Sequence, residues 1–151
     1  MRAIQRFLLA GAILLGALPA LAGDLNLEAS LIWAPNEPPA GRYTAADPDL
    51  AAKLRMKFRW DHYVEITNQI KSIPLNESRD FRMSAPCVLR IKNLGDSRIE
   101  VSCIGKGKVA TSGAKTLQAG QWLVLGGDAK NNTAWFIGLR AVDRGLADAG
   151  R

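Results

Sequence analysis

The chain contains one histidine and two cysteines in 151 residues, and that scarcity excludes a good deal of chemistry. A zinc site needs three or four clustered His and Cys ligands, and no such set can be assembled. Cys87 and Cys103 lie far from the C-x-x-C spacing of a redox motif. His62 stands beside Asp61, but neighbouring residues of an extended chain point to opposite faces, which argues against an acid–base dyad. Residues 126–133 hold a single carboxylate, Asp128, where a calcium loop needs several at alternating positions. Gly105-Lys106-Gly107-Lys108 lacks both the spacing and the strand–loop–helix setting of a phosphate loop, and reads as a hairpin turn. No metal, no cofactor and no catalytic residue is expected.

Long apolar runs are equally scarce. The one present covers residues 7–18, behind Arg2 and Arg6 and ahead of Pro19 and Ala20-Leu21-Ala22. A basic start, a short apolar stretch and small residues at the cleavage positions form the pattern of a secretory signal. The run is short for a bilayer span, which disfavours the alternative of an uncleaved anchor. Residues 1–22 are therefore read as a signal peptide, and no later segment is apolar enough to cross a membrane. No cysteine stands directly after the run at the cleavage position, so lipoprotein processing is not expected. Removing 22 of the 151 residues leaves 129, the size of one domain. The full chain has 20 basic and 14 acidic side chains. Both signal charges are basic, so the remainder carries a net +4. That mild excess suits anionic surfaces and does not point to nucleic acid.

Beyond the signal the pattern is mostly β. Leu25, Leu27, Ala29, Leu31 and Trp33 alternate with other residues at period two, predicting a strand with one buried face. Three prolines among residues 35–39 make a loop. Asp47-Pro48 starts a helix, with a capping carboxylate and a proline at the first helical position. Leu50, Leu54 and Phe58 recur every four residues, predicting a helix over about 48–59. Short strand patterns follow from Tyr63 onward, separated by Pro74, Pro86, Gly95, Gly107 and Gly120. Trp33 and Trp135 fall within apolar alternation and are expected in the core. Residues 143–151 lack periodicity and are expected to fray.

The best-defined element is a hairpin of residues 87–92 and 98–104. With its turn centred on Gly95, Cys87 faces Cys103, Leu89 faces Val101, Ile91 faces Ile99, and Arg90 faces Glu100. Two opposed cysteines in an exported chain predict a structural disulfide. The alternative is two reduced thiols packed as small hydrophobes.

Several segments carry a further resemblance: Leu31-Ile32-Trp33, Asp47-Pro48 with Leu50 and Lys53-Leu54, Ile104 through Lys108, and Leu125-Gly126-Gly127-Asp128 with Asn132 through Phe136. Together they resemble a group of small exported bacterial proteins with no assigned activity, Cys103 departing from that pattern. The resemblance implies an exported location and no catalytic residue.

The expectation is one mainly β, antiparallel, sandwich-like domain over residues 23–142, with the helix at an edge or end. Its expected role is a non-catalytic periplasmic or secreted binding or assembly module that meets an envelope protein through its surface. A second reading is a module for glycans or anionic surfaces, with Lys106, Lys108 and Trp122 as candidate surface-binding residues. A small hydrolase using Asp61, His62 and Glu65 comes last.

Overall fold

Strand follows strand through short turns, with one helical interruption. The computed structural model describes residues 23–128 and 131–143. The elements are β1 Leu25–Pro35, β2 Thr44–Ala45, α1 Pro48–Lys57, β3 Val64–Ile73, β4 Ser78–Arg82, β5 Cys87–Gly95, β6 Arg98–Gly105, β7 Lys108–Thr116, β8 Leu123–Asp128 and β9 Thr133–Ala141. The expected signal, residues 1–22, lies outside the described residues, as does all of the expected tail but Asp143.

Two antiparallel sheets form a sandwich, as the alternation and short turns predict. One has the order β2-β3-β1-β9-β8 and the other β4-β5-β6-β7. Leu27, Ala29 and Leu31 from β1 pack with Leu89, Ile91, Ile99 and Val101 from β5 and β6, building the core between the sheets. Along one side the sandwich is laced shut. Side chains of β3 reach backbone carbonyls in or beside β4: Thr67 Oγ1 donates to Met83 at 3.0 Å, Gln69 Nε2 to Arg82 at 2.6 Å and Lys71 Nζ to Asp80 at 2.5 Å. At one end Asn93, 3 % exposed, ties the sheets together. Its amide donates to Ile73 O at 2.9 Å and Gly23 O at 2.5 Å, and its carbonyl accepts from Gly95 N at 2.9 Å.

β1 differs from expectation, because Leu27 through Ile32 are buried on both faces. The reason is the position of α1. It lies across the outer face of the five-stranded sheet rather than at an edge or end. Leu50, Ala51 and Leu54 pack there against Ile32, Ala34, Ala134 and Phe136. Gly138 makes this approach possible: a Cβ there would lie 2.8 Å from Leu50 Cδ2 and 2.9 Å from the Trp122 ring. The Asp47 carboxylate caps the helix as expected, accepting from Asp49 N at 2.9 Å and Leu50 N at 3.2 Å. The helix stops two residues before the expected end, because Phe58 turns extended and lays its ring 4.6 Å from that of Phe136.

The β5–β6 hairpin keeps its predicted faces but not its predicted register. Asp96 and Ser97 both have positive φ, 52° and 60°, which makes them the centre of a two-residue turn matched to the strand twist. An irregularity between Asn93 and Gly95 accompanies it. Opposed residue numbers therefore sum to 192 along most of the ladder: Leu89 faces Cys103, Ile91 faces Val101, and Cys87 faces Gly105. Arg90 lies opposite Ser102 instead of Glu100, and it forms a two-point ion pair with Asp80 at 2.8 and 2.9 Å. These contacts hold the Asp80 carboxyl below its ordinary range.

Candidate functional site

The side of the sandwich opposite the β3–β4 lacing is open. β7 and β8 are the facing edge strands there, and between them runs a cleft of about 900 Å³. Its origin can be read in β7. On β6 the inward residues are Ile99, Val101 and Cys103. Ile99 is opposed by Lys115 and Val101 by Gly113. The inner face of β7 thus carries a glycine and a lysine at positions where a closed sandwich would place large apolar side chains. A Cβ built on Gly113 meets nothing within 4 Å.

The opposing wall is apolar and only partly covered. Leu125 of β8 and Ile137 of β9 face inward and are partly buried. Trp135 is 40 % exposed, correcting the expectation of a core residue. Its ring centroid lies 6.4 Å from that of Trp33, also partly exposed. Leu31, Leu89 and Val101 line the deeper part of the cleft. Among the described residues, Lys115 is the one charged residue lining it. No carboxylate lies within 4.0 Å of its ammonium among the described residues.

Cys87 and Cys103 sit in the wall of this cleft. They share a face, but the 192 register makes them diagonal rather than opposed neighbours. They stand as two thiols with sulfurs 3.9 Å apart, well beyond the bonded distance of about 2.05 Å. The expectation that the two cysteines face each other is corrected to a diagonal placement, and the expected bond is not shown. Burial, followed by the neighbouring Cys103, pushes the Cys87 thiol up to about 11.

The other candidate residues do not gather. Lys106 and Lys108 are exposed in the β6–β7 turn. Trp122 does not join them, being 3 % exposed under α1. Its indole N–H donates to Asp47 Oδ1 at 3.3 Å, its carbonyl accepts from Lys53 Nζ, and the Arg140 guanidinium lies 4.2 Å over its ring. A buried indole needs a partner for its N–H, and Trp122 finds one at the helix cap. Arg140 also reaches Glu28 at 2.6 Å, a pair mostly buried on the outer sheet face. Glu65 accepts from Ser30 Oγ at 3.0 Å on β1, while His62 lies in the loop before β3. No hydrogen bond joins the His62 ring to Asp61 or Glu65 among the described residues.

Among the described residues no helix is long and apolar enough to cross a membrane, and no three His, Cys, Asp or Glu side chains converge as metal ligands. The sequence reading missed the cleft. Its available signal was the run Ser112-Gly113-Ala114-Lys115, a strand whose inward positions carry no apolar bulk. Neither the scan against family models nor the searches of curated proteins and solved structures returned a match.

Proposed function

We propose that the protein is an exported, non-catalytic binding module that holds a small apolar molecule in the cleft between its two sheets. The observation that carries this reading is the cleft itself. Its volume, about 900 Å³, lies within the roughly 300–1,000 Å³ of small-molecule sites. Its walls are apolar, with few polar groups, which is the composition such sites use. The lacing of β3 to β4 and the Asn93 tie hold the far side closed, so the open side is supported by a rigid frame. Export follows from the signal pattern of residues 1–22. The outer surface is left for an envelope protein, and Lys106 and Lys108 are exposed for an anionic one, but without the aromatic platform that Trp122 was expected to supply.

Titration with the neutral, environment-sensitive dye N-phenyl-1-naphthylamine tests the proposal. Saturable blue-shifted emission is expected, lost in Gly113→Leu, whose side chain fills the cleft. Binding unchanged in that variant, with its fold verified by circular dichroism, would overturn the assignment.

A further inference from the structure

The cleft has one polar feature that its apolar walls do not explain. Lys115 stands on the inner face of an edge strand, directly opposite Ile99. It is exposed, it lines the cleft, and among the described residues no acidic side chain lines the cleft with it. A strongly hydrated ammonium gains nothing from apolar neighbours. An unpaired cation at the rim of an apolar site is complementary to an apolar ligand with an anionic end.

From this charge placement we infer that the cleft takes a single-chain carboxylate amphiphile of the fatty-acid type, an inference that rests on the cleft being a binding site. The chain lies against Leu125, Ile137 and Val101, and the carboxylate meets Lys115 at the solvent edge. The volume agrees with one chain. A water-sized group takes up about 30 Å³, so a chain of roughly 12 to 16 methylene-sized units fills about half of the cleft. Two chains at the long end of that range would fill it completely and leave no room for a linker. The two sides of the cleft divide the work: the sheet walls supply apolar area, and the lysine sets orientation. A sugar ring is a poorer fit, because it needs a dense set of hydrogen-bonding side chains, and among the described residues the lining offers Ser84, Ser112, Lys115 and the Trp135 indole N–H beside two weakly bonding thiols.

Calorimetric titration of the purified protein with dodecanoate and with dodecanol, equal in chain length and differing in head charge, tests this. Dodecanoate is expected to bind about tenfold more tightly, a difference of the size a charge-assisted contact supplies. Lys115→Met should remove that preference by weakening dodecanoate alone, and Lys115→Arg should restore it. Gly113→Leu should abolish both ligands. Equal affinities that ignore residue 115 would overturn the carboxylate inference while leaving the apolar site standing. If neither ligand binds, both the inference and the binding reading fall.

Discussion

Val101 of β6 is directly opposed by Gly113 of β7, so the inner face of the four-stranded sheet drops from a branched side chain to none between one strand and the next. The step opens the cleft. Gly113 has ordinary negative-φ backbone and free space around a Cβ, so bulk at this position meets no obstacle. Gly113→Leu should raise stability by about 1 kcal/mol by filling the void. A shift of the thermal midpoint by about 4 °C is the corresponding readout. Unchanged or lowered stability would show that the space is not the cavity described.

The Glu28–Arg140 pair joins β1 to β9 at 2.6 Å beneath the helix cap, with side chains only 11 % and 20 % exposed. Removing one partner strands a charge away from water. Arg140→Ala and Glu28→Ala should each cost about 3 kcal/mol. The double variant should cost little more than either single one, a strong coupling that urea denaturation resolves through a double-mutant cycle. Additive losses would mean the two groups are stabilised separately.

Asn93 satisfies Ile73 O, Gly23 O and Gly95 N from one buried amide. Asn93→Leu keeps the volume and removes all three bonds. A loss of about 2 kcal/mol is expected, at the level of buried polar groups left without partners. Hydrogen exchange should show the same change locally, with faster exchange at Gly95 N.

Cys87 offers a pH test. Burial and Cys103 raise its thiol to about 11, so in the reduced protein little thiolate exists near neutrality. Alkylation by iodoacetamide should rise about tenfold per pH unit from roughly pH 8 to pH 10 and not plateau at an ordinary thiol value. The linkage has a definite sign. Between the unfolded value and about 11 the folded state binds the extra proton, so stability contributed by the neutral thiol is complete below the unfolded value and declines as pH rises. Cys87→Ser should flatten that alkaline decline.

Most of the fold was legible because its signals are local. Asp47-Pro48 and the Leu50–Leu54 spacing marked the helix start and its buried stripe, and the residues 105–108 turn formed with Lys106 and Gly107 at positive φ. The hairpin faces were right while its pairs were wrong. Parity depends only on alternation, whereas register depends on which two residues take the turn, and Asp96-Ser97 took it in place of a turn centred on Gly95. The shift of two moved Cys87 off Cys103 and Arg90 off Glu100 without turning any side chain over.

The order of residues alone determined the β character, the capped helix, and the inward and outward faces of the strands, because each follows from periodicity or composition within a short stretch. Only tertiary structure decided that α1 covers the outer sheet face, that Trp122 is buried while Trp135 is partly exposed, and that β7 leaves a cleft opposite β8. Those outcomes depend on which faces meet across the sandwich. Two strands with sound patterns of their own can still be mismatched in bulk where they confront each other, and no run of neighbouring residues records that mismatch.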